Sequence, residues 1–170
     1  MNLEAIVWAD LGAGHGAFTL ALAELIGASG HIHSIDKSRG ALKQQEAQMQ
    51  TRFPDISVTY YTADFSQSLS LPRLDGAVMA NALHFVPYGQ AQEAVLKRIW
   101  GCLRPGGRLI LVEYDTDRGN HWVPYPLSFD SWSALAVRCG FMTPALLAAR
   151  PSRFLGRIYS SSTQRPAKDG

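Results

Sequence analysis

Residues 5–16 read AIVWADLGAGHG. The apolar run 5–9 has the length of a buried strand, and it ends in Asp10 and in glycines at alternate positions, Gly12, Gly14 and Gly16. A helical pattern, FTLALAEL, starts at Phe18. A strand that turns on glycines into a helix is the opening of a nucleotide-binding βα unit, because residues without a Cβ let backbone approach a ligand over the start of the helix.

The choice of ligand rests on the details of that turn. Gly12, Gly14 and Ala17 satisfy the loose pattern G-x-G-x-x-G/A, which would place a pyrophosphate on the helix N-terminus. Asp10 argues against a phosphate, since like charges would face each other in a poorly screened pocket. A carboxylate there suits a ligand with an amino group and a sulfonium, and S-adenosylmethionine has both and no phosphate. The alternative is that Asp10 only tethers the loop and the glycines only make a tight turn.

Downstream, the first helix covers about 17–26 and stops at Gly27 and Gly30, and a second strand, 31–35, delivers Asp36. Asp36 lies 20 positions beyond Gly16, about where nucleotide-binding folds place the acid that takes both ribose hydroxyls. One carboxylate can accept from two vicinal donors in a fork. A competing role for Asp36 is at the N-terminus of the next helix, 38–52, which Ser38 can cap. That helix carries a polar face of Lys43, Gln44, Gln45, Glu46 and Gln48. A third strand, 56–61, leads to Ala63, Asp64 and Phe65, a pair able to take an adenine amino group and cover a ring face, or else a turn with a core plug.

The strand DGAVMA, 75–80, opens into Asn81, Ala82, Leu83, His84 and Phe85. Ala91, Val95, Ile99 and Leu103 recur at intervals of four and share one helix face. Arg104-Pro105-Gly106-Gly107 makes a turn, and RLILV, 108–112, is a continuous apolar strand of the kind buried on both faces. A long loop, 116–127, holds His121, Trp122 and Tyr125, and loops of such length tend to carry function. A last helix near 129–139 ends at Gly140, and the runs 141–149 and 154–160, joined by a turn at 150–153, read as a hairpin. Residues 1–162 read as a single domain; the polar stretch from Ser161 reads as frayed, with 163–170 a flexible tail.

Composition bounds the class. With 170 residues, 46% hydrophobic and 18% charged, the chain suits one domain with a sizeable core. A net charge of +2 marks no clear nucleic-acid surface. Cys102 and Cys139 are isolated thiols without a C-x-x-C and read as buried core residues of a reducing cytoplasm. No apolar run reaches the ~20 residues of a membrane span, and no metal-ligand spacing of His, Asp and Glu stands out.

The whole is an α/β pattern: five strands alternating with helices, then a hairpin, giving a Rossmann-like, doubly wound, seven-stranded, mostly parallel sheet with one antiparallel strand. The segments DLGAGHG, HIHSIDKS, TADF, LDGAVMANALHFV and CLRPGGRLILVEY, in this order and spacing, resemble the class I S-adenosylmethionine-dependent methyltransferases that act on small molecules. The resemblance implies S-adenosylmethionine as cofactor and a small-molecule methyl acceptor. It places Asp10, Gly12 and Gly14 at the methionine end, Asp36 at the ribose, Asp64 with Phe65 at the adenine, and Asn81 beside the sulfonium, with Ala13, Lys37 and Ala63 as further cofactor-binding candidates. His15, inside the glycine turn, reads as bordering the cofactor rather than acting on the substrate. Asn81-Ala82-Leu83-His84 stands where an Asn/Asp-Pro-Pro-Tyr would mark amino methylation of bases. About four residues precede the first strand, where the family normally has helices that cover the site, so the expectation is that a partner or a homo-oligomer supplies the lid, or the substrate is large, or the pocket stays open and activity is poor.

Methyl transfer is an in-line displacement governed by positioning, and a general base matters when the acceptor holds its proton. His84, at the carboxyl edge of the fourth strand, is the candidate base; an imidazole that only packs there is the competing reading. Glu113, Tyr114 and His121 are lesser candidates, and Phe85, Tyr114, His121, Trp122 and Tyr125 are the candidate acceptor wall. Two other classes remain at this level. A non-catalytic cofactor-binding subunit would share the whole pattern, and an NAD(P)-dependent oxidoreductase would share the first βα unit, although no Tyr-x-x-x-Lys follows.

Overall fold

The computed structural model describes residues 5–167. Its elements run β1 (Val7–Leu11), α1 (Ala17–Ile26), β2 (His31–Asp36), α2 (Arg39–Arg52), β3 (Ser57–Thr62), β4 (Leu74–Ala80), a 3-10 turn (Leu83–Phe85), α3 (Gln90–Cys102), β5 (Leu103–Tyr114), α4 (Phe129–Arg138), β6 (Ala145–Pro151) and β7 (Arg157–Gln164). The strands form one seven-stranded sheet in the order β3-β2-β1-β4-β5-β7-β6. β1 to β5 pair in parallel, and β7 runs antiparallel between β5 and β6. The order reverses at β1, which lies between β2 and β4, and a crevice opens beyond the carboxyl ends of strands at such a reversal.

Apolar residues explain why both faces are covered. On one face Leu109 and Leu111 of β5 pack with Val95, Leu96 and Ile99 of α3 and with Trp132, Leu135 and Ala136 of α4. On the other, Ile32 and Val78 meet Leu22 and Ala23 of α1 and Met49 of α2. Strands buried on two sides need near-continuous apolar runs, which β1, β4 and β5 have.

The expected strands and helices are present with shifted ends, and four differences have physical causes. Among the described residues no helix joins β3 to β4; residues 63–73 run irregularly, with Leu69 and Leu71 packed on the core. The Arg104–Gly107 segment is a bulge inside β5, where pairing jumps from Leu74↔Leu103 to Gly76↔Arg108 and Gly106 takes φ +78. The hairpin reverses at Ser152–Gly156, where Ser152 N–H donates to the Gly156 carbonyl, and β6 starts at Ala145, where its pairing with Ser162 of β7 begins, and not at Phe141. The stretch 161–164 is strand and not a frayed end: Ser161 and Thr163 are buried between β5 and β6, and Arg165 beyond them is buried with its guanidinium over the Trp100 ring. Both thiols are free, Cys139 buried and Cys102 half-buried.

On β2, His31 and His33 point to the same side, as strand period dictates. Their ring centroids are 4.6 Å apart, and His33 Nδ1 shares a 3.0 Å hydrogen bond with the Tyr61 hydroxyl. Burial and the His31 neighbour lower the His33 pKa to about 4. Among the described residues no helix is long and apolar enough to cross a membrane.

Candidate functional site

A cavity of about 510 Å³ opens at the carboxyl ends of β1, β2, β3 and β4. Of the cofactor-binding candidates, Gly12, Asp36, Lys37, Asp64, Phe65 and Asn81 line it, together with Ser66, Ala82, Phe85 and Val86. The glycine loop is held from β2. The Ile35 carbonyl accepts N–H groups from both Gly12 and Ala13 at 2.9 Å, and the Asp36 Oδ2 accepts the Gly14 N–H at 2.8 Å. Asp36 Oδ1 accepts the Ser38 N–H at 2.8 Å, while Ser38 itself caps α2 through the Ala41 N–H. Asp36 therefore fixes two loops at the cavity, and the lone pairs left on each oxygen suit a pair of hydroxyl donors.

The glycines differ in what surrounds them. A Cβ on Gly12 would come within 2.7 Å of the Ala82 Cβ and 3.3 Å of the Phe65 ring, so close approach across the cleft floor excludes a side chain. At Gly14 (φ +54) no atom lies within 4 Å of the Cβ position. Gly14 borders Asp36 through its N–H but is not among the residues that line the cavity.

Asp10 is placed differently from the expectation. It is 1% exposed, does not line the cavity, and its Oδ2 accepts the Thr19 hydroxyl at 2.7 Å. Burial pushes its pKa up to about 6, against the lowering effect of the Thr19 hydrogen bonds. The tethering role is the one the structure supports, because the side chain turns down into the domain to meet α1. Ala13 is half-buried and lies outside the lining, with its carbonyl taking the Gly16 N–H. Ala63 donates its N–H to the Asp36 carbonyl, joining the ends of β2 and β3. His15 is exposed in the turn.

On the far side of the cleft, the Lys37 ammonium pairs with Asp64 at 2.8 Å. That cation and the hydrogen bonds of Ser66 hold the Asp64 carboxyl below its ordinary pKa, although partial burial opposes them. Asn81 adopts φ +52, a left-handed conformation that Asn tolerates, and its N–H donates to the Val112 carbonyl. This bends the chain out of β4 into the turn that walls the cavity.

His84 stands in that turn, 3% exposed, behind Phe85 and not among the residues that line the cavity. Its Nδ1 lies 2.8 Å from Glu113 Oε1, and its backbone N–H donates to Oε2 at 3.2 Å. Glu113, fully buried at the end of β5, also accepts the Tyr114 N–H at 2.8 Å. The His84 ring packs on Phe85, centroids 4.3 Å apart, and Phe85 is 62% exposed at the cavity rim. No hydrogen bond engages Nε2 among the described residues.

Of the other candidate acceptor residues, Tyr114 is buried beside the His84 ring and presents no free face. His121 and Trp122 are exposed on the 115–128 loop and lie outside the cavity lining, their rings in edge contact with each other. Tyr125 is half-buried, donates its N–H to the His84 carbonyl and meets Tyr88 edge-on. Among the described residues no cluster of three or more His, Cys, Asp or Glu is arranged to hold a metal ion.

A sheet in the order 3-2-1-4-5-7-6, with a glycine loop and an acid at the end of β2 around its crevice, defines a Rossmann-like fold of the class I S-adenosylmethionine-dependent methyltransferases. Residues 9–107 match the family model described as a methyltransferase domain, and the chain belongs to that family. It is 32% identical over 105 residues to a carboxy-S-adenosyl-L-methionine synthase of Pseudoalteromonas translucida, covering 61% of this chain and 43% of the relative. It is 26% identical over 160 residues to an arsenite methyltransferase of Aquipseudomonas alcaligenes, covering 84% and 46%. The chain thus spans just under half the length of these curated relatives. Among solved structures, an arsenic(III) S-adenosylmethionine methyltransferase from Chlamydomonas reinhardtii superposes with a TM-score of 0.76 at 19% identity, covering 98% of this chain and 65% of that one. The DszA carbon methyltransferase gives 0.76 at 20% identity, covering 100% and 50%. At these identities the likeness is one of fold.

Proposed function

We propose that this domain binds S-adenosylmethionine in the cavity at the ends of β1 to β4 and transfers its methyl group to a small-molecule acceptor. The carrying observation is Asp36, whose two oxygens each hold one backbone N–H at the cavity and keep lone pairs for the sugar. Asp64 and Phe65 border the place of the base, and the methionine part is assigned to the open face of Gly14 beside Asp36. Buried Asp10 gives that end no carboxylate, so backbone and Asn81 face it instead. When bound, the cofactor supplies a methyl carbon already activated by its sulfonium.

His84 acts as the base in this proposal. Its Nδ1 is turned to Glu113, which orients the imidazole and leaves Nε2 to receive the acceptor's proton as the new bond to the methyl carbon forms. The Phe85 ring at the rim gives the acceptor an apolar surface to rest on. The exposure of that ring at the cavity mouth supports a cover supplied by a partner or a second copy, and two free thiols support a reducing compartment such as the cytoplasm.

Calorimetric titration with S-adenosylmethionine, its demethylated product and NAD tests the binding step; tight NAD binding without the other two overturns it. Transfer of a labelled methyl group to fractionated small molecules then separates a turning-over enzyme from a protein that only holds the cofactor.

A further inference from the structure

Beneath the glycine loop lies a line of buried polar side chains that the site as described does not use. The Ser34 hydroxyl of β2 donates to Gln45 Oε1, Gln45 Nε2 of α2 donates to the Thr19 hydroxyl, and Thr19 of α1 donates to Asp10 Oδ2 of β1, each at 2.7 Å. Three of the four side chains are fully buried, and Asp10 is 1% exposed. Every proton in the line points toward the carboxylate, so a chain of donors links four elements and ends on a strong acceptor.

The start of α1 needs this arrangement. Its N-cap is Gly16, at φ +85, and a helix capped by glycine lacks the side-chain oxygen that normally takes an N–H of the first turn. A side chain at Gly16 has no room, because its Cβ would overlap the Gln45 side chain. Asp10 ties down the first turn from outside the helix: its Oδ2 accepts the hydroxyl of Thr19 at 2.7 Å. The glycines of the loop therefore answer to different neighbours, Gly14 to open space and Gly16 to Gln45.

We infer that Asp10, Thr19 and Gln45 are positioning residues, whose buried relay from Ser34 sets the pose of the glycine loop for the cofactor. The relay fixes where α1 begins relative to β1 and β2, and so fixes how the Gly12, Ala13 and Gly14 N–H groups meet Ile35 and Asp36. Its consequence for ligand affinity rests on the S-adenosylmethionine reading, whereas its consequence for the loop does not.

The test uses Thr19→Val, which keeps the shape and removes the hydroxyl, and Thr19→Ser, which keeps the hydroxyl. Amide hydrogen exchange of the ligand-free protein is followed in segments 12–16 and, as control, in β4 and β5. Expected is a roughly tenfold faster exchange at 12–16 in Thr19→Val with β4 and β5 unchanged, a roughly tenfold rise in the S-adenosylmethionine Kd, and recovery of both to within about threefold in Thr19→Ser. Unchanged exchange at 12–16, an equal rise throughout β4 and β5, or failure of Thr19→Ser to recover overturns the inference. Should Thr19→Val not fold, Ser34→Ala removes only the first donor of the relay; loop exchange equal to wild type in that variant is the overturning result. If wild type does not bind S-adenosylmethionine, the cofactor reading falls while loop exchange still decides the role of the relay.

Discussion

Two buried groups of opposite sign titrate in the same pH window, and their separation is a quantitative test of the structure. Burial raises Asp10 from an ordinary 3.8 to about 6, and burial with His31 alongside lowers His33 from 6.5 to about 4. Between these limits the folded protein binds a proton at Asp10 that the unfolded chain releases, so this group makes stability fall as pH rises. The reverse holds at His33, which is neutral when folded and protonated when unfolded, so its contribution to stability rises with pH. Integrated from pH 4.5 to 6.5, Asp10 takes away about 2 kcal/mol and His33 adds about 2 kcal/mol. In wild type the two nearly cancel. Urea unfolding across this window should show Asp10→Asn gaining about 2 kcal/mol relative to the wild-type profile, and His33→Asn losing about 2 kcal/mol relative to it. Profiles parallel to wild type for both variants would show that neither side chain is buried as described.

Asp36→Ala should weaken S-adenosylmethionine binding by about 1 to 3 kcal/mol in a calorimetric titration, since the sugar hydroxyls and the Gly14 and Ser38 amides all lose an acceptor. Gly14→Val should abolish detectable binding, because its side chain would occupy the open space beside Gly14 where the proposed cofactor lies, and should cost roughly 1 to 2 kcal/mol of stability from the left-handed backbone. With an authentic acceptor, His84→Ala should reduce turnover by about 10² to 10⁴ fold, and Glu113→Gln should reduce it with little change in cofactor affinity; turnover of His84→Ala equal to wild type at every pH refutes the base assignment.

The sequence made the βα alternation legible because buried parallel strands and amphipathic helices leave strong periodic signals, as in the run RLILV and the Val95–Ile99 spacing. It also put Asp36, Asp64, Phe65 and Asn81 on one crevice, since all follow strand ends. For Asp10 the sequence left a ligand-facing and a tethering role both open, because its partner Thr19 lies on a helix, and nothing in a linear pattern says whether a carboxylate turns outward or down. Gln45 was hidden for a related reason: it sits among Lys43, Gln44 and Glu46 as part of a polar face, yet is fully buried by three-dimensional pairing. β7 was lost beyond Ser160 because a strand of serines and threonines has little hydropathy, and its order comes from pairing with β5 and β6.

The loop that gives the domain its signature does not determine its own shape. Three successive amides, those of Gly12, Ala13 and Gly14, are received by only two residues of the neighbouring strand, Ile35 and Asp36. A transplant of the glycine stretch onto another α/β scaffold would accordingly need the last two residues of β2 to travel with it, in register, for its geometry to survive the move.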